Sequence, residues 1–229
     1  MTGTTLADRL ASVQTEIADA AAQAGRQASD ITTIVVTKFH SASLVRTLWD
    51  LGVRDFGENR HQEASAKAAE VTDLDLVWHF VGQLQSKKAR QARSYARVFH
   101  SLDRESVIDA LGKASTPSNP VVDGFVQLNL TDDPGRGGVQ PEELGRVAEH
   151  VLATDGIRLM GVMAVAPIGE EPRRAFERVR QASEQLVAID PGARYISAGM
   201  SGDFRDAVLE GATHLRIGSA ITGNREGPG

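Results

Sequence analysis

The 229-residue chain contains no cysteine, which excludes disulfides, zinc–thiolate sites and thiol nucleophiles together. Neither sign of charge dominates. With 25 basic and 30 acidic residues the net charge is −5, so no general attraction to nucleic acid or anionic lipid is expected. Long apolar runs are also missing: "GVMAVAPI" is the longest, far short of the ~18 residues of a membrane span. The first twenty residues carry Asp8, Arg9, Glu16 and Asp19, which interrupt any apolar signal core. A cytoplasmic protein with neither membrane nor nucleic-acid partner is expected. No Gly-x-Gly-x-x-Gly turn follows the first apolar segment, which weighs against a doubly wound dinucleotide-binding sheet.

What the chain does have is alternation. Leu6, Leu10, Val13, Ile17 and Ala21 form one stripe at spacings of three and four, predicting a helix over about 4–25 that Gly25 ends. The period then changes. "ITTIVVTKFHS" (Ile31–Ser41) is a β-branched run that reads as a strand. Ser43 is expected to cap the helix after it. Further strands are expected at "VRDFG", "LVWHFVG", "ARVFHSL", "PVVDGFVQLNL" (the longest), "IRLMGVMAV", "ARYISAG" and "THLRIG", each followed by helical sequence. Eight strand–helix units of about 25 residues, with one helix in front, predict a single (β/α)8 barrel. The domain would span residues 1–229, with a frayed tail at 224–229.

In such a barrel the chemistry belongs at the C-terminal ends of the strands. Those positions collect Lys38, Glu58, Asn59, Met200, Ser201, Arg216, Gly218 and Ser219, with His79 inside the third strand. Lys38 reads either as a surface lysine or as an amine placed to condense with a carbonyl. "RIGSAITG" reads either as a plain strand end or as part of the anion site that these barrels build after strands seven and eight. Ser201 and Ser219 offer hydroxyls there, and Gly218 an unencumbered N–H. An amine opposite a phosphate site suits pyridoxal phosphate or a phosphosugar aldolase substrate. Arg216 is expected to point inward, where a buried guanidinium requires an acceptor. A pyridine nitrogen would serve, and so would a neighbouring carboxylate.

"VVTKFHS", "FGENRHQE", "WHFVGQLQSKK", "GVMAVAP" and "ISAGMSGDFRDAVLEGATHLRIGSAITG", in that order and spacing, resemble the YggS/PROSC family of pyridoxal phosphate homeostasis proteins from about Leu6 to Gly223. The resemblance implies an alanine-racemase-type (fold-type III) barrel without the second β domain of the true racemases. It implies pyridoxal 5'-phosphate held as a Schiff base on Lys38, with Asn59 beside the ring and Met200 lining the site. Ser201, Gly218 and Ser219 would hold the phosphate, and Arg216 would face the pyridine nitrogen. It further implies a role in vitamin B6 balance without catalytic turnover. Lys87, Arg60, His61 and Thr222 depart from the family's usual residues and bear on loop contacts rather than on the cofactor.

The residues give a reason for the lack of turnover that the resemblance implies. The cofactor is the better electron sink when its ring nitrogen is protonated, and arginine is a poor proton donor. Racemisation also needs a second acid/base on the opposite face, and the only tyrosines are Tyr95 and Tyr195. A weak racemase-like enzyme and a Schiff-base aldolase are the alternatives. His79 is expected as a hydrogen-bonded histidine, not a metal ligand, and the basic "SKKARQARSYAR" as a solvated face. The Gly- and Pro-rich "TDDPGRGGVQ" reads first as a flexible loop; the other reading is a lid over the cofactor, in which Arg136 would meet an anionic ligand. A monomer is expected, with apo-enzymes that use the cofactor as candidate partners.

Overall fold

The computed structural model describes residues 4–133 and 135–223; the expected frayed tail lies outside them. Eight strands alternate with helices: β1 (Thr32–Val36), β2 (Asp55–Glu58), β3 (Val77–Phe80), β4 (Val98–Leu102), β5 (Val122–Gln127), β6 (Ile157–Met163), β7 (Tyr195–Ser197) and β8 (His214–Ile217). All pairings are parallel, and β8 returns to β1 with Arg216 opposite Ile34, closing the barrel. The chain is therefore a single (β/α)8 barrel. Apolar strand residues such as Val35, Phe56, Phe80 and Phe99 pack outward against the helices and form one continuous core with them. No helix among the described residues is long and apolar enough to cross a membrane.

The leading helix, α1 (Leu6–Gln23), buries Leu10, Val13, Ile17, Ala20 and Ala21, the face that its spacing predicts. Thr5 and Asp8 cap it reciprocally, with N–H bonds of 3.0 and 3.1 Å. It packs on α8 (Phe204–Leu209) and α9 (Ser219–Thr222). There Arg9 Nε donates to the Ile221 carbonyl at 2.7 Å.

Three details differ from the sequence reading. Helix α2 (Ala42–Asp50) takes Ser41, not Ser43, as its N-cap residue. Strand β6, with seven residues, is longer than β5, with six. After Leu128, whose N–H still bonds to Met163 O on β6, the chain leaves the ladder, and Asn129 N–H bonds to Val139 O within its own loop. The basic segment forms a short 3-10 turn (Ser86–Lys88) and α4 (Ala89–Arg93), and Arg93 is buried rather than solvated. Its guanidinium donates to the carbonyls of Leu111, Gly156, Asn119 and Pro120 at 2.9–3.2 Å.

The barrel interior is unusually polar. Such barrels are commonly filled by branched aliphatic layers; here Phe125 stacks on His100 at 4.7 Å and meets His214 edge-on at 5.1 Å. His79 is buried and hydrogen-bonded, 2.9 Å from both Asp55 and His100. Gly161 (φ 153°) stands where the β5–β6 register shifts, and a Cβ there would lie 1.8 Å from Tyr195 O on the other neighbour, β7.

Candidate functional site

At the C-terminal end of β1 the chain passes from buried Thr37 to exposed Lys38. The turn that follows holds Phe39 at φ 68°, a left-handed conformation rare for a bulky side chain. Phe39 N–H donates to Glu63 Oε2 at 3.1 Å, from α3 (His61–Glu70). Beneath Lys38 lies a buried polar cluster. Glu58 Oε1 accepts from Thr37 Oγ1 at 2.6 Å and from Lys67 Nζ at 2.5 Å, and Lys67 also donates to Thr37 O at 2.8 Å. Asn59, the next residue, is packed against Gly82 so closely that a Cβ on the glycine would lie 2.0 Å from Asn59 O.

Two strands away around the closed barrel, the loop after β7 brings Met200 and Ser201 to the same face. Ser201 Oγ accepts from the backbone N–H groups of Gly218 and Ala220, both at 3.2 Å. This joins the β7 loop to the start of α9. Arg216 projects inward from β8 and is 5% exposed. Its Nη1 donates to Ser197 Oγ at 2.6 Å and its Nη2 to Ala164 O at 2.8 Å. Burial lowers its pKa from the usual arginine range to about 10. It remains cationic at neutral pH, and hydroxyl and carbonyl oxygens serve it in place of a carboxylate.

The seven residues that the resemblance assigns to the cofactor line one cavity of about 380 Å³: Lys38, Asn59, Met200, Ser201, Arg216, Gly218 and Ser219; Glu58 and His79, also collected from the strands, do not line it. Val36, Val81, Val165 and Gly202 complete the lining. A second cavity of about 240 Å³ adjoins it, sharing Asn59, Val81, Val165 and Arg216 and lined further by Arg136, Gln83 and Asn129. The loop of Arg136 is tied down: Asn129 Nδ2 donates to Asp133 O and Arg136 O, and Gly138 N–H donates to Asp103 Oδ2.

The donor set has a definite chemistry. Lys38 supplies a primary amine, able to condense with an aldehyde. The hydroxyls of Ser201 and Ser219 beside the start of α9 suit an oxyanion, while the Gly218 N–H is already donated to Ser201 Oγ. Arg216, with five N–H donors and no acceptor, suits an unprotonated ring nitrogen, and the valines and Met200 suit a flat apolar ring. Tyr95 and Tyr195 do not line this cavity. The Tyr95 hydroxyl lies 3.2 Å from His61 Nδ1, and Tyr195 packs edge-on against His214. Ser197, Lys67 and His100 were not found from the sequence. Their partners lie on other elements, between 9 and 97 positions away, and no spacing rule connects them.

Comparison with known proteins fits this geometry. Residues 10–226 match the family described as alanine racemase, N-terminal domain. The pyridoxal phosphate homeostasis protein of Pseudomonas aeruginosa is 37% identical over 97% of this chain and 96% of that protein. The structure of PipY from Synechococcus elongatus with PLP bound is 32% identical, with a TM-score of 0.80 over 95% of this chain and 99% of PipY. Alanine racemase from Corynebacterium glutamicum shares the fold, with a TM-score of 0.67 at 15% identity over 96% of this chain and 64% of the racemase. The chain belongs to the pyridoxal phosphate homeostasis proteins, within the alanine racemase N-terminal domain family.

Proposed function

We propose that this protein binds pyridoxal phosphate and serves its homeostasis, with the cofactor joined to Lys38 through its aldehyde. The observation that carries this reading is the single cavity that collects Lys38, Arg216 and the Ser201–Gly218–Ser219 group, in a chain so similar to the homeostasis proteins. Ser201, Gly218 and Ser219 would hold the phosphate, Asn59 and Met200 would lie against the ring, and Arg216 would donate to the ring nitrogen. When bound, the cofactor supplies a reactive aldehyde conjugated to an electron-withdrawing ring.

The test is the visible spectrum of the purified protein beside Lys38→Ala, before and after borohydride. A visible absorbance band lost in the variant, with reduction fixing the cofactor's mass to Lys38, is the expected outcome. A colourless protein that takes up no added pyridoxal phosphate would sink the assignment.

Absence of turnover belongs to the same proposal. Arg216 at the ring nitrogen disfavours its protonation, and both tyrosines are engaged away from the cavity, so neither is placed as the second acid/base of racemisation. Incubation with amino acids in D₂O tests this. Loss of the α-proton at enzymatic rates would establish an enzyme.

The finer reading is a cytoplasmic monomer that passes the cofactor to apo-enzymes. Exposed apolar residues at the cavity's face, Phe39, Met200 and Ile168, support a docking rim for such partners. Sedimentation giving a single-chain mass, together with reactivation of an apo-enzyme by loaded protein faster than by free cofactor, is the expected result.

A further inference from the structure

Four hydrogen bonds run through the barrel interior from the cavity toward the opposite end. Arg216 Nη1 lies 2.6 Å from Ser197 Oγ, and Ser197 Oγ lies 2.8 Å from His100 Nδ1. His100 Nε2 lies 2.9 Å from His79 Nδ1, and His79 Nε2 lies 2.9 Å from Asp55 Oδ1. The chain therefore crosses β8, β7, β4, β3 and β2. Ser197 and His100 are fully buried and His79 is 3% exposed, while the Asp55 side chain reaches solvent.

Counting donors sets the direction. A guanidinium only donates, so Ser197 Oγ accepts from Arg216 and has one proton left to give. His100 Nδ1 is its acceptor, which puts the His100 proton on Nε2. That proton goes to His79 Nδ1, the His79 proton sits on Nε2, and the carboxylate of Asp55 ends the series. Every proton then has an acceptor. Reversing the direction would set an unprotonated His79 Nε2 against the Asp55 carboxylate, two acceptors with no proton between them, and would leave the serine hydroxyl proton facing an arginine that has no lone pair to receive it.

We propose that Ser197, His100, His79 and Asp55 are positioning residues for Arg216, a one-way hydrogen-bond chain that fixes the guanidinium as a donor at the ring-nitrogen end of the cofactor site. The proposal rests on the pyridoxal phosphate reading of that site. Buried cations are normally fixed by a carboxylate partner; here the carboxylate stands four bonds away, with neutral groups relaying its polarity. A carboxylate next to the ring would instead favour a protonated nitrogen. Placing it at the far end of the chain anchors the arginine while keeping negative charge away from the cofactor.

The surroundings agree with a neutral imidazole at His100. His100 is faced by His79 from β3 and by Arg216 and His214 from β8, with burial holding its pKa well below the ordinary histidine value. His214 is lowered to about 4, chiefly by burial and then by His79, with Asp55 opposing. Tyr195 from β7 closes the ring of groups around His214.

Two measurements test the chain. Histidine ¹⁵N NMR of the wild-type protein should find His79 and His100 both protonated at Nε2 at neutral pH. A proton on Nδ1 of either ring would overturn the direction. Ser197→Ala and Asp55→Ala, loaded with pyridoxal phosphate, should both alter the position or pH response of the visible band. Their affinities should fall about tenfold and about threefold respectively. A merely structural chain would leave the band of a folded variant unchanged, and unchanged bands and affinities in both variants would overturn the proposal. A wild-type protein that binds no pyridoxal phosphate overturns the site reading itself, and the positioning role with it. Wild-type binding with silent variants overturns the positioning role alone.

Discussion

Lys67 sits almost wholly buried between α3 and β2, held by Glu58 and the Thr37 carbonyl directly below the residue proposed to hold the cofactor. A buried ion pair is expensive to break because the survivor keeps its desolvated charge. Lys67→Met alone should therefore cost about 3–5 kcal/mol, read from denaturant midpoints. Adding Glu58→Gln should recover most of that loss, and a double variant as unstable as the single one would show that the pair contributes more than mutual neutralisation. At this scale the sequence was informative wherever a functional group follows a strand directly. Lys38, Asn59, Ser201 and Ser219 were found because each ends or follows a strand, and the barrel rule places such residues on one face. Ser197, His100 and Lys67 were not, because their significance lies in partners that the chain approaches only after closure.

Arg93 shows how an element can be read correctly in kind and misread in role. Its segment is basic and helical, as the composition implies, yet α4 lasts one turn and a half before Arg93 turns inward. There it ties the end of α5 (Glu105–Lys113) to the loops before β5 and β6 through four carbonyls. A planar fork makes that grip possible, and an ammonium cannot reproduce it. Arg93→Lys should destabilise the protein by about 2–4 kcal/mol, seen as a lower thermal midpoint. An unchanged midpoint would mean that water replaces the clamp. Strand and helix types were legible because the period changes from 3.6 to 2 at each boundary. The lengths of β5 and α4 were not, because pairing with Val139 of the following loop and arginine-to-carbonyl bonds end them rather than any local turn residue.

For the whole molecule, the histidine-rich interior makes acid the weak direction. His214 has a folded pKa near 4 against about 6.5 when unfolded, so between those values the unfolded chain binds more protons. Stability must therefore fall as pH drops through that window and hold steady above it. Between pH 7 and pH 5, His214 alone should cost about 2 kcal/mol, with His100 acting in the same direction. Denaturant midpoints at the two values would measure it, and His214→Asn should flatten the slope. The closed barrel also has a seam, where β1 meets β8 and α1 lies across α8 and α9. On a ribosome, α1 emerges before any strand, while the surface that covers Leu10, Val13 and Ile17 is made after all the others. Its apolar stripe must stay uncovered for nearly the whole of synthesis, so the first helix to form is among the last to find its place, and the nascent protein depends on remaining unaggregated until the eighth strand arrives.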